Sequence, residues 1–259
     1  MIKLLRKFLD VGSETGVAGM RSRVDIDPKA FSAIYAVGDV HGCYAELLEA
    51  ECRILNDASA IDGPKLIVML GDYVDRGPSS RRVIDHLMAP LAPGFERVSL
   101  CGNHDDVFCH FLDDPSAGRR WLDFGAAATL YSYGIDIEHA LHQAGSFKGL
   151  STELARAIPE SHYAWLKSLP VMLKVGQFLF VHAGLKPGIA LESQADEDLM
   201  WIREPFLGRG PELPYTVVHG HTPTDTVTFG KNRIGIDTGA YASGRLAVLR
   251  IAEGHTSLI

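Results

Sequence analysis

Two carboxylates and an arginine close the apolar run Leu66-Ile67-Val68-Met69-Leu70, where the chain continues Gly71-Asp72-Tyr73-Val74-Asp75-Arg76-Gly77. A run of that length reads as a fully buried strand. A buried strand that ends in two acids and a base needs something there to bind them. Taken alone, a surface loop with a salt bridge explains the segment as well. Recurrence decides against the loop: Asp39, His41, Asp72, Asn103, His182 and His221 each fall just past a predicted strand. Carboxylate, imidazole and amide oxygen make a mixed O/N donor set that suits manganese, iron or zinc better than calcium or magnesium. No cysteine belongs to the set, which argues against a structural zinc. Six protein ligands are too many for one open catalytic ion and suit two ions about 3.5–4 Å apart, bridged by a carboxylate and a water.

These residues need strands and turns to carry them. The first predicted strand, 33–37, runs into GDVHG at 38–42, and a helix follows with Tyr44, Leu47, Leu48, Ile54 and Leu55 at helical spacing. The second ends in the segment around Asp72. Pro78 and Ser79 then open a helix with Val83, Ile84, Leu87 and Met88 on one face. The third, 97–101, ends in Gly102-Asn103-His104-Asp105. Three strand–loop–helix units in series predict an α/β fold with ligands at strand C-termini. From 113 to 170 the composition is helical, with Trp121, Phe124, Tyr131, Tyr133, Tyr163 and Trp165 and no ligand series. This stretch is expected to be a helical insert over the site, its aromatics mainly core. After 170 the character turns β. Residues 178–181 end in His182-Ala183-Gly184, 215–218 end in His219-Gly220-His221-Thr222, 227–237 read as two strands about a turn at Gly230-Lys231-Asn232, and 246–251 read as one more.

The 259 residues are 46% hydrophobic and 22% charged, a globular balance with ample length for a real core. A net charge of -7 without a long basic run argues against nucleic-acid partners. No apolar run is long enough to span a bilayer, so no integral membrane segment is expected. The opening nine residues are basic and amphipathic but too interrupted for a signal peptide. Residues 1–30 are expected to form a loose leader, polar and Gly-rich from 10 to 28. Cys43, Cys52, Cys101 and Cys109 form no CxxC pair and read as reduced thiols of a cytoplasmic protein.

GDVHG at 38, GDYVDRG at 71, GNHD at 102, VHAG at 181 and HGHT at 219, in that order, resemble the calcineurin-like metallophosphoesterase superfamily. GDYVDRG points to its serine/threonine phosphoprotein phosphatases, and the chain is most similar to short bacterial and phage-type members, which are related to symmetrical diadenosine tetraphosphatases. IDTGAY at 236–241 is similar to such members too. Each motif is weak alone; five in order, each after a strand, are a strong signal. The resemblance implies one metallophosphoesterase domain over 1–259, a four-layer α-β-β-α sandwich of two mixed sheets with residues 113–170 as a helical cap. It implies that Asp39 and His41 hold one ion, that Asp72 bridges, and that Asn103, His182 and His221 hold the other. Two divalent ions are expected, manganese first and iron or zinc as alternatives. His104 would protonate the leaving alkoxide and Asp75 would hold it cationic. Arg76 and Arg203 would grip the phosphoryl oxygens, a task suited to a forked guanidinium, and Asn103 would also touch the substrate.

The expected activity is hydrolysis of a phosphomonoester by a hydroxide bound to the two ions, on phosphoserine or phosphothreonine in protein or on a small phosphoester. The alternatives are a dinucleoside polyphosphate hydrolase and, as a non-enzyme, a metal-binding regulatory scaffold. The Asp75-Arg76 pairing favours the phosphatase, and the complete ligand set disfavours the scaffold. Asp237 is open between an acceptor for a metal-bound histidine and a turn residue, and Tyr241 between the site and the edge of the core. His86, His110, His139, His142, His162 and His255 are expected on surfaces or helices.

Overall fold

Alternation within the strands builds the layers. The computed structural model describes residues 20–259. Its strands are β1 (Arg23–Ile26), β2 (Ala33–Val37), β3 (Lys65–Met69), β4 (Phe95–Ser99), β5 (Met172–Val175), β6 (Phe178–Val181), β7 (Thr216–His219), β8 (Thr228–Gly230), β9 (Arg233–Gly235), β10 (Val248–Ala252) and β11 (His255–Leu258). They form two mixed sheets, β1-β5-β6-β7-β9-β8 and β11-β10-β2-β3-β4. Strands β2, β3 and β4 run parallel in one sheet, and β6, β7 and β9 in the other. Successive side chains on a strand point to opposite faces. Ile34, Ala36, Leu66 and Val68 therefore pack with Phe180, Val218 and Leu249 between the sheets. Tyr35, Val37, Ile67 and Met69 belong to the second core, shared with the helices. With both faces buried, these strands read as unbroken apolar runs.

Helices α1 (Tyr44–Ala58), α2 (Ser80–Met88) and α3 (Asn103–Asp113) follow β2, β3 and β4. Helix α1 buries Leu47, Ala50, Ile54 and Ala58, a stripe at three- and four-residue spacing. Leu48 and Leu55, expected on that face, are 37% and 46% exposed. The stripe runs one position to the side of them, through Leu47 and Ile54, with Ala50 and Ala58 completing it. Met88 likewise falls off the buried face of α2, at 38% exposure.

Between 113 and 170 the structure is helical, as expected: a 3₁₀ stretch (Ala117–Phe124), α4 (Ala126–Ser132), α5 (Ile137–Ala144), α6 (Ser151–Ala157) and α7 (Glu160–Ser168). Trp121, Leu130 and Leu166 join the core that α2 and α3 pack on. Three short α-helices follow, α8 (Asp196–Trp201), α9 (Phe206–Arg209) and α10 (Ala240–Ser243).

Within the span expected as a leader, 1–30, the described residues are ordered into secondary structure from Arg23. Residues 23–26 are strand β1, paired in parallel with β5 from Arg23 opposite Met172. Arg21 Nη2 donates to Asp106 Oδ1 at 2.8 Å, and Arg23 Nη2 to Asp196 Oδ1 at 2.8 Å. The polar composition concealed this strand because it lies at a sheet edge, where only Ile26 is buried and the charges are spent on ion pairs. Residues 1–19, and with them the amphipathic opening, lie outside the described residues. Among those described, no helix is long and apolar enough to cross a membrane.

Candidate active site

The carboxyl ends of parallel strands from both sheets converge. Beyond β2 the chain places Asp39 and His41, beyond β3 Asp72, beyond β4 Asn103, beyond β6 His182 and beyond β7 His221, all buried. Sharp turns are needed so soon after a strand, and three of the six pay a conformational cost: φ is +44° at His41, +54° at Asp72 and +65° at His221. Left-handed backbone at non-glycine residues costs roughly 1–3 kcal/mol each and persists where the surroundings hold it. The His41 amide donates to the Asp72 carbonyl at 2.7 Å, and the His221 amide to Asp39 Oδ2 at 2.9 Å. Two glycines permit the approach. Gly71 adopts φ +113°, with the Gly102 backbone 2.6 Å from where a Cβ would stand, and a Cβ at Gly220 would collide with Asp39 Oδ1.

The side chains form one cluster about Asp72. Its Oδ2 is 3.3 Å from His41 Nε2, and its Oδ1 is 3.4 Å from His182 Nε2. Asn103 Oδ1 is 2.9 Å from both His182 Nε2 and His221 Nδ1. Two groups, His41–Asp72–His104 and Asp39–Asp72–His182, each offer ligand atoms within 4.8 Å of one another, and Asp72 belongs to both. Asp39 Oδ1 is buried with no hydrogen-bond partner. An orphaned carboxylate oxygen beside imidazoles is the condition that a bound cation relieves, so the residues present fit divalent metal. The electrostatics agree. Burial first, then neighbouring charges, drops His41 and His221 to about 3, and burial lowers His182 as well, which keeps these imidazoles neutral and able to ligate. Asp72 is buried, yet His182, His104 and His41 hold it well below the usual carboxylate range. Asp39 is pushed well up by burial and by the Asp237 and Asp72 charges. His41 and His182 turn their other ring nitrogens to the carbonyls of Val74 and Leu70, at 2.9 and 3.0 Å, which fixes both rings.

His104 stands beside this cluster, its Nδ1 2.6 Å from Asp75 Oδ2. Its Nε2 is 3.9 Å from Asp72 Oδ2 and 3.2 Å from Arg76 Nη2. Burial alone would lower the His104 pKa, but Asp72 and Asp75 outweigh it and raise the value. Arg76 is exposed and its guanidinium lies over the Tyr241 ring, 4.5 Å from the centroid. Exposed Arg203, just past α8, lies close enough to help lower His221. Tyr241 meets His41 edge-on at 5.4 Å, so it belongs to the site and not to the edge of the core. Asp237 is buried next to Asp39 and accepts from the Gly239 amide at 2.8 Å, a turn residue that also lifts Asp39. His219 packs on Phe206 with its Nε2 3.4 Å from Arg233 Nη1. His162 lies on helix α7, one of its expected places, where it is buried and links Tyr133 to Asp85.

Three residues that shape the site carry no role in the sequence reading. Asp105 accepts the amides of Asp72, Tyr73 and Gly102 at 2.8, 2.8 and 2.9 Å, so it fixes the turn that presents Asp72. Its place three residues into a helix after glycine was the available signal, since acidic residues there cap helices. Asp105→Ala is expected to strand three buried donors at roughly 1–3 kcal/mol each, read as a fall of several kcal/mol in denaturant unfolding. Trp121 and Thr129, from the insert, both hydrogen-bond the Asp75 carboxylate.

The sequence profile of the calcineurin-like phosphoesterases matches residues 32–256, from β2 to β11 and thus through every residue of this cluster. The chain belongs to that family. This phosphoesterase hydrolyses phosphoester bonds, and its family uses divalent metals. It is 27% identical over 239 residues to serine/threonine-protein phosphatase 2 of Salmonella typhimurium, covering 88% of this chain and 96% of that one. It is 24% identical over 244 residues to an asymmetrical bis(5'-nucleosyl)-tetraphosphatase of Anoxybacillus flavithermus, covering 85% and 91%. A solved structure described as a candidate diadenosine tetraphosphatase superposes with a TM-score of 0.60 over 91% of this chain and 96% of its own, at 22% identity, which speaks for the shared sandwich.

Proposed function

We propose that this phosphoesterase is a serine/threonine protein phosphatase whose two divalent ions, manganese in the first place, are held by Asp39, His41, Asp72, Asn103, His182 and His221, with Asp72 shared. Bound there, such ions supply Lewis acidity to phosphoryl oxygens and lower the pKa of water from ~15.7 to about 7. The chain supplies the rest. Arg76 and Arg203 hold the phosphoryl oxygens, and a guanidinium fork favours the charge that spreads over them in the transition state. Asn103 orients from the second half of the cluster. Nε2 of His104 gives its proton to the leaving alkoxide, and Asp75, at 2.6 Å from Nδ1, fixes the ring for that transfer.

That 2.6 Å pair is the observation that carries the substrate class. A serine or threonine alkoxide is a poor leaving group and needs an acid; the leaving phosphate of a dinucleoside tetraphosphate needs one less. The four free thiols fit a reducing compartment, which supports the cytoplasm as the location. A second reading, dinucleoside tetraphosphate hydrolysis, is supported by the names of the relatives and by Tyr241, which is 40% exposed at the site and could stack on a base. The test is a panel under one manganese concentration. Phosphoserine and phosphothreonine peptides are expected to exceed diadenosine tetraphosphate in kcat/KM; a clear preference for the dinucleotide would move the chain to the second reading.

A further inference from the structure

Asp75 and Arg76 are consecutive non-glycine residues in the left-handed region, at φ +72° and +68°. Their own loop contributes one bond, from the Gly77 amide to the Asp75 carbonyl at 2.8 Å, and the insert adds to it. The Asp75 amide donates to Thr129 Oγ1 at 2.7 Å, and the Arg76 amide donates to the Gly125 carbonyl at 3.2 Å. The Asp75 side chain is held from the same direction. Trp121 Nε1 donates to its Oδ2 at 2.8 Å, the oxygen that also faces His104, and the Thr129 hydroxyl donates to its Oδ1 at 2.8 Å. Phe124, between them in sequence, meets the His104 ring edge-on at 5.5 Å. Trp121, Thr129 and Asp75 are fully buried, so no water competes for these bonds.

We infer that Trp121 and Thr129 are positioning residues for proton delivery: the insert clamps both oxygens of Asp75 and thereby aims His104 at the leaving group. A carboxylate with one oxygen bound can rotate about its Cβ–Cγ bond; with its two oxygens held by donors from two neighbouring elements of the insert, the 3₁₀ stretch and α4, rotation breaks a buried hydrogen bond. The insert thus does more than wall the cleft. Where catalysis needs a protonated imidazole within hydrogen-bond reach of one leaving oxygen, the orienting shell decides how often the ring is in place. The inference rests on the acid role proposed for His104.

The experiment compares kcat on phosphoserine peptide and on an aryl phosphate, whose phenolate leaves with little help, for Trp121→Phe, Thr129→Val and Thr129→Ser, alone and with Asp75→Asn. Trp121→Phe removes one donor together with part of the buried ring; Thr129→Val keeps the shape and removes both the donor to Asp75 Oδ1 and the acceptor of the Asp75 amide; Thr129→Ser keeps the hydroxyl. The expected result is a loss of about tenfold or more on the alkyl ester against little change on the aryl ester. Metal content should be unchanged, Thr129→Ser should be near wild type, and neither variant should lose more once Asp75 is already Asn. Equal losses on both esters, or full losses on top of Asp75→Asn, would overturn the clamp and leave the two residues as core. If Trp121→Phe does not fold, the Val and Ser pair at 129 decides alone. His104→Asn run alongside separates the two ideas. If it too fails to distinguish the esters, the acid role falls and the clamp with it; if it distinguishes them and the Thr129 pair does not, only the clamp falls.

Discussion

Asp72→Asn is expected to abolish turnover and metal binding together. The substitution is close in shape, and Asn tolerates the left-handed backbone that Asp72 adopts. An amide oxygen can still accept the His104 amide that now reaches Asp72 Oδ1 at 3.0 Å. What it removes is the negative charge common to both ligand groups. Two cations brought within about 3.5–4 Å need an anion between them, and no other acid in the cluster contacts both halves. The loss should therefore exceed the roughly 10²–10⁴-fold that a general acid is worth. Metal per chain by elemental analysis, with aryl phosphate turnover, checks it. A variant that keeps its full metal load and more than a tenth of its activity would show that Asp72 is not the shared ligand.

The second large effect falls on His104. His104→Asn should slow hydrolysis of phosphoserine by about 10²–10⁴-fold and slow an aryl phosphate much less. The pH dependence gives an independent readout. Despite burial, Asp72 and Asp75 hold the His104 pKa above its ordinary value, so the imidazole keeps its proton to higher pH. Alkyl phosphate turnover should then fall on the alkaline side as His104 loses that proton. Asp75→Asn removes one of the two charges, lowers the pKa and moves that fall to lower pH. A pH profile of kcat that stays in place in Asp75→Asn would argue against the pairing.

The residues that cluster in the cleft were legible because a ligand set constrains residue type and place together. Asp39, His41, Asp72, Asn103, His182 and His221 follow strands in the sequence and meet in space, since parallel strands end on one edge of their sheets. The α/β sandwich was legible for a related reason: strands buried on both faces cannot hide their composition. Strand β1 was missed because an edge strand needs only one buried side chain. Trp121 and Thr129 were missed for a different reason. Their bonds to Asp75 span 46 and 54 residues, and neither residue type signals a partner at that distance. A buried tryptophan N–H does demand an acceptor, but composition does not show that the residue is buried or which acid is near. Leu48 and Leu55 show the converse limit: they stand at helical spacing but off the buried face, which the expected Leu47 and Ile54 form together with Ala50 and Ala58.

The most direct test of the whole account is the metal content of the wild-type chain after saturation with manganese and removal of free ion. Two ions per chain are predicted, because the two clustered groups, His41–Asp72–His104 and Asp39–Asp72–His182, share the single carboxylate of Asp72. One ion per chain, or none, would contradict it.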